Sequence, residues 1–243
     1  MTSPRARALR ATTPPPTQQD AGIRRRDRTV VGLAILSGTT DAIGFLALGS
    51  AFTSVMTGNM VLVGVAAGTR DTSALGLVAT AIAAYVVGVG IGTRVAGQAR
   101  PDDGPWPSAV TRALVLELGL LTTYAVVWWS LGSEPPPGWY APLLALNAAA
   151  LGVQSSAILR FRVSGLSTTY LTGTLTTVVV RLVSGQSLQA VGQSARILAG
   201  LLTGAATGAA LVEVARPAAP AFQLLVLLVA IATGTRVTRG GLR

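Results

Sequence analysis

Apolar residues fall along this chain in runs of two length classes, separated by short polar or Gly- and Pro-containing breaks. The long runs cover Thr29–Leu48, Ala74–Gly92, Ala113–Leu131, Ala141–Leu159, Ile197–Val214 and Ala218–Thr235. Each extends over about 18 to 20 residues, which at about 1.5 Å per residue matches a hydrocarbon core about 30 Å thick. The short runs, Val55–Ala67 and Leu171–Val180, fall into the range of about 10 to 14 residues that suits a re-entrant or half-length helix. The pattern predicts an all-α, polytopic membrane helix bundle with six full spans and two short helices.

Composition agrees with a bilayer environment. Half of the 243 residues are hydrophobic and only 12% are charged, with a mean hydropathy of +0.57. So few charges would not keep a water-soluble domain of this size in solution. The basic residues are all Arg and give a net charge of +10. They sit at the ends of apolar runs rather than in a stripe with interleaved aromatics, so they read as membrane-orienting charge and not as a nucleic-acid surface. The chain has no Cys and no His. That removes disulfides, thiolate nucleophiles, the commonest general base and the usual zinc and haem ligands. No metal, cofactor or enzymatic activity is expected.

Residues 1–28 stand apart. The polar, Pro-rich stretch Thr12-Thr13-Pro14-Pro15-Pro16-Thr17-Gln18-Gln19 has nothing to bury and predicts disorder. Arg24-Arg25-Arg26-Asp27-Arg28 abuts the first long run. A twin-Arg export signal does not fit, because that run is long, carries Asp41 and lacks a small-residue cleavage site; the cluster reads as a cytoplasmic anchor. Residues 29–238 form a single membrane domain. If the short runs cross, Arg94, Arg100, Arg112, Arg160, Arg162 and Arg216 all fall outside; if they return, only Arg70 and Arg216 do. The positive-inside rule favours six spans, an inner-membrane location and both termini in the cytoplasm.

The two halves, about 29–131 and 141–238, look related. Thr57-Gly58 recurs as Thr172-Gly173 at an offset of 115, and Gly88-x-x-x-Gly92 as Gly204-x-x-x-Gly208 at 116. Arg100-Pro101 recurs as Arg216-Pro217, also at 116. Ordered matches of this kind point to internal duplication. An odd number of crossings per half turns the second copy over, so the expected relation is an inverted repeat.

Leu36-Ser37-Gly38-Thr39-Thr40-Asp41-Ala42-Ile43-Gly44-Phe45, followed by Met56-Thr57-Gly58-Asn59-Met60, resembles the signature of the YoaK-like bacterial membrane proteins, a family of unknown function. Leu171-Thr172-Gly173-Thr174-Leu175 is similar to that family's second Thr-Gly motif. The resemblance covers roughly residues 29–238. It implies a multi-pass inner-membrane protein with an undefined transport role, and it supplies no substrate.

The candidate chemistry must come from the residues. Thr is a good N-cap and Gly permits close backbone approach, so two inverted Thr-Gly half-helices would aim their electropositive N-termini toward the midplane. Thr57, Gly58 and Asn59, with Thr172, Gly173 and Thr174, are the candidate solute-binding residues. The competing reading is tight packing, with Thr hydroxyls bonded back to their own helices. Asp41 is costly at depth and is either a proton- or cation-handling group or an interfacial cap. It also argues against a simple anion site. Gln154, with Asn147, Ser155 and Ser156, lies in the region of the second half that corresponds loosely to Asp41, and it either binds solute or bonds between helices.

Other polar residues carry structural readings. Glu117 is expected to snorkel or pair with Arg112, and Arg196 and Glu213 to anchor the fifth long run. Trp128, Trp129, Trp139 and Tyr140 should form an interfacial belt. The function expected is a small-solute transporter or channel with its site at the midplane; the alternative is a non-transporting membrane partner or lipid-interacting protein. The expected partners are the lipid bilayer and a small solute or ion, with a homo-oligomer compatible with the packing motifs.

Overall fold

A computed structural model describes residues 18–100, 103–161 and 171–240. The expected disorder of the Pro-rich stretch falls mostly on residues outside that range. The helices are α1 (Gln18–Ala47), α2 (Met56–Thr69), α3 (Thr72–Ala96), α4 (Ser108–Ser130), α5 (Tyr140–Leu159), α6 (Leu171–Val183), α7 (Leu188–Val214) and α8 (Ala218–Gly240). A 3-10 turn, Pro137–Trp139, precedes α5. Among the described residues, α1, α3, α4, α5, α7 and α8 are long and apolar enough to cross a bilayer, and α2 and α6 are shorter apolar helices. Helix α1 begins at Gln18 rather than near Thr29. The upstream residues are rich in Arg and Gln, which are good helix formers even though they are not apolar.

Glycine contacts set the core. At Gly204 an added Cβ would run into the backbone of Ile35, and at Gly208 into that of Thr39, while at Gly38 it would meet the Leu201 carbonyl and the Ala205 amide. Helices α1 and α7 therefore run parallel in backbone-to-backbone approach. Helices α3 and α5 pack in the same way, with Gly88 against Ala149, Gly92 against Val153, and Gly152 against Tyr85 and Val89. These are the small-residue interfaces that hold helices together in lipid, where no hydrophobic drive separates helix from solvent.

Helix directions follow from contacts at the ends. Near the start of α1, Arg26 stacks over Phe161. There Arg160, just after α5, donates to the Ala96 carbonyl at the end of α3 and pairs with Asp103 at 2.9 Å. The Gln193 side chain of α7 donates to the Asp27 carbonyl. This first face collects the starts of α1, α4 and α7 and the ends of α3, α5 and α8. At the opposite face Gly49 lies against Leu77 and Tyr140. Trp128 and Trp129 there donate to the Arg216 and Pro217 carbonyls. Trp129 and Trp139 are exposed as an interfacial belt requires, whereas Trp128 is fully buried and serves as a core residue. Among the described arginines, Arg70 and Arg216 stand at this opposite face and the others lie toward the first.

Candidate functional site

The chain does not continue outward after α1. Gly49 and Ser50 both take positive φ, 91° and 64°, a left-handed pair that reverses the backbone. Residues 51–55 then run back down α1. The Phe52 ring stacks on Phe45 at 5.1 Å, and an added Cβ at Gly44 would meet Ala51 and Thr53. Thr53 and Ser54 reach the level of Asp41, six residues before the end of α1, or about 9 Å inside it. Helix α2 starts at that depth, packs against α3 and climbs to the Arg70-Asp71 turn, where the Asp71 side chain caps α3 by accepting from Ala74. The first short segment is thus re-entrant: it leaves and returns to one face.

Asp41 and Asn59 make this path possible. Irregular backbone at membrane depth must have every N–H and C=O satisfied by protein or water. One Asp41 carboxylate oxygen accepts from the Thr53 amide at 2.7 Å, the Ser54 amide at 2.7 Å and the Thr53 hydroxyl at 2.9 Å. The other accepts from the Ser54 hydroxyl at 2.5 Å. Asn59 clamps Phe52 from both sides, accepting from its amide at 3.0 Å and donating to its carbonyl at 2.7 Å. The expected Thr cap is not used: Val55 occupies the N-cap position of α2 without a side-chain bond. Thr57 is exposed and Gly58 half-buried within the turn that follows.

In the second half, α6 opens directly on the Thr-Gly element, and residues 162–170 before it lie outside the described range. Leu171 packs against Val30, Ala34 and Ile197. Ile197 is nine residues into α7, so α6 also begins at depth, about 13 Å from the start of α7, and ends at the first face. Thr174 is buried, while Thr172 and Gly173 are exposed. Their carbonyls accept from the Thr176 and Thr177 hydroxyls. The two Thr-Gly elements do not meet. They stand beside different parts of α1, Val30 to Ala34 against Asp41, which are about 10 to 16 Å apart along the helix.

What lies between them is a polar centre. Gln154 donates to the Ser37 hydroxyl at 2.9 Å and the Leu33 carbonyl at 3.3 Å, tying α5 to α1. Gln223 of α8 donates to the Thr40 hydroxyl at 2.8 Å and to Asn147 of α5 at 3.4 Å. The Tyr124 hydroxyl lies beside Asn147. Glu117 of α4 is 0% exposed, and neither of its oxygens has a hydrogen-bond partner among the described residues. The expectation that Glu117 snorkels or pairs with Arg112 fails: Arg112 is exposed. Five residues of helix set the two about 140° apart around the axis. That angle was the available signal for Glu117. Gln223 was missed because it sits close to the start of its apolar run.

A model of the family described as "Protein of unknown function (DUF1275)" matches residues 29–234. Over 143 residues, 59% of this chain, the sequence is 37% identical to the "UPF0700 transmembrane protein YoaK" of Bacillus subtilis (strain 168). The chain covers 61% of that protein's length. No solved structure matches. The family match takes in the Asp41 clasp, the polar centre and both short helices, so the chain belongs to this family of multi-pass membrane proteins, DUF1275.

Proposed function

We propose that the protein is a small-solute transporter or channel of the inner membrane, built as two inverted repeats, with its arginine-rich first face in the cytoplasm. The observation that carries this reading is the pair of half-helices that start at depth and open to opposite faces. Exchanging α1–α4 with α5–α8 also maps the α1/α7 contact onto α5/α3: Gly38 on Leu201 and Ala205 becomes Gly152 on Tyr85 and Val89. Such repeats are the usual architecture of alternating access, in which one half rocks against the other around a midplane site. The likeness to such carriers is an argument from analogy, and the arginine distribution supports the orientation.

The solute site in this reading is the polar centre. The electropositive start of α2 already has an anion, because Asp41 takes the Thr53 and Ser54 amides. An anionic solute therefore gains little there. The polar centre, by contrast, offers the buried amide and hydroxyl groups of Gln154, Gln223, Asn147 and Tyr124, and these suit a polar solute that donates hydrogen bonds. Asp41 and Asn59 act as positioning residues, and Thr57, Gly58, Thr172, Gly173 and Thr174 line the approaches from the two faces.

The chain has no cysteine, so sidedness is testable with single Thr57→Cys and Thr174→Cys variants and a membrane-impermeant thiol reagent. The expected result is labelling of Thr57→Cys from the face of Arg216 and of Thr174→Cys from the opposite face. Protection of both from both sides, with Glu134→Cys labelled as a loop control, would replace this reading with that of a non-transporting membrane partner.

A further inference from the structure

We infer that a groove between α1 and α8 at the first face is a binding site for an anionic phospholipid, independently of whether the protein transports a solute. The groove has a volume of about 600 Å³, within the range of about 300–1,000 Å³ that holds a ligand of some tens of atoms. Its two ends differ in chemistry. At the surface stand Arg25, Arg28 and Arg236; deeper in, the walls are Ile35, Val226 and Val229.

Three further features make it a site for a lipid rather than for a soluble anion. First, its arginines are uncommitted: Arg26 pairs with Asp27 and stacks on Phe161, while Arg25, Arg28 and Arg236 have no ion pair among the described residues. Second, the Thr29–Thr233 hydroxyl contact at 3.0 Å bridges the two helices within the groove, and the exposed Leu225 and Val229 beside it form an apolar wall of the kind that meets acyl chains. Third, Gly32 leaves a slot: an added Cβ there would touch nothing within 4 Å, whereas the glycines of the α1/α7 seam meet backbone. A slot with an arginine rim and an apolar body is complementary to a phosphate headgroup with its acyl chain. Basic pockets between membrane helices take lipid phosphates in this way. The contact between α4 and α5, which matches α1/α8 under exchange of the halves, has no comparable arginine cluster from α5 at its rim, so the site belongs to one face only.

The test uses the full chain in mixed vesicles of phosphatidylglycerol and phosphatidylcholine, extracted gently and weighed with its bound lipid by native mass spectrometry. Wild type should retain phosphatidylglycerol over phosphatidylcholine. R28A/R236A should lose about tenfold or more of that preference, at roughly 1 kcal/mol per arginine near a lipid surface. G32L, which fills the slot without a clash, should retain less of either lipid while its melting temperature in lipid-free detergent stays that of wild type. Equal retention of the two lipids by wild type, or retention by either variant equal to wild type, would overturn the site. So would stabilisation by inorganic phosphate alone as large as that by phosphatidylglycerol, which would make it a pocket for a soluble anion.

Discussion

Among the described residues, the bundle buries two carboxyl groups on membrane-spanning helices in opposite circumstances. Asp41 receives four hydrogen bonds from two residues of the re-entrant limb, and Glu117 receives none from the described residues. The difference separates two uses of a costly group. A carboxylate saturated by the chain's own amides and hydroxyls repays its desolvation by satisfying backbone that would otherwise be orphaned in lipid, and its work is architectural. A carboxyl with no partner among the described residues gives the fold nothing in return. Under the proposed function, such a group is available to a ligand, a cation or a proton.

Removing the saturated group should have the largest effect on stability. Asp41→Ala strips the acceptor from two buried amides and two hydroxyls, each costing about 1–3 kcal/mol when left unmade. Water entering the gap relieves part of that, so a loss of about 3 kcal/mol or more is expected for unfolding in bicelles. Asp41→Asn keeps an acceptor oxygen and should lose about half as much. An Asp41→Ala protein within about 1 kcal/mol of wild type would show that the limb is held by something else. Asn59→Ala comes next. It frees one amide and one carbonyl of Phe52 near the entry to α2, for a cost of about 1–2 kcal/mol, and Thr57→Cys should lose its sidedness in that background.

Much of this architecture is legible along the chain because length and apolarity fix a membrane helix almost alone. The six spans and the two short helices fall where the runs predict them, the Asn of Thr-Gly-Asn marks the residue that clamps the re-entrant limb, and the Gly-x-x-x-Gly pairs mark packing surfaces. Partners across the fold are not legible. Asp41 bonds residues twelve and thirteen positions away through a limb without regular periodicity, so its role could be read equally as cap or carrier. Glu117 has a charged neighbour in sequence but not around the helix. Gly204 advertises a close contact, yet only the folded chain shows that it meets Ile35 in a parallel pair.

A third carboxyl, outside the membrane-spanning helices, calibrates the comparison. Asp103 accepts from the Arg100 amide at 2.9 Å and from Arg160 at 2.9 Å. The amide bond first, against some desolvation, and then the guanidinium hold its carboxyl below the usual carboxylate range. A depressed folded-state value contributes stability above the unfolded pKa and loses it as pH falls through the folded one, so the contribution should fade only on the acid side of the ordinary carboxylate range. The group is partly exposed, so the loss in Asp103→Asn should stay below about 1 kcal/mol at neutral pH. An effect as large as that of Asp41→Ala would mean that the Asp103–Arg160 pair, and not the clasp, organises this bundle.

Glu117→Gln should have the smallest effect on stability and sharpens the comparison most. Gln conserves the shape and leaves the centre no more unsatisfied than before, so unfolding in bicelles should stay within about 1 kcal/mol of wild type. Function should respond in the opposite sense. Across a panel of polar solutes taken up by cells, whatever difference deletion of the gene produces should be reproduced by Glu117→Gln, whereas Asn59→Ala should lower uptake only in proportion to the folded protein that remains. If Glu117→Gln instead destabilises the protein as Asp41→Ala does, then Glu117 has a structural partner in the working bundle and the contrast between the two carboxyls disappears. If it is stable and leaves uptake intact while deletion does not, the polar centre is not the pathway, and the route must be sought along the exposed faces of α2 and α6, where Thr57 and Thr172 stand.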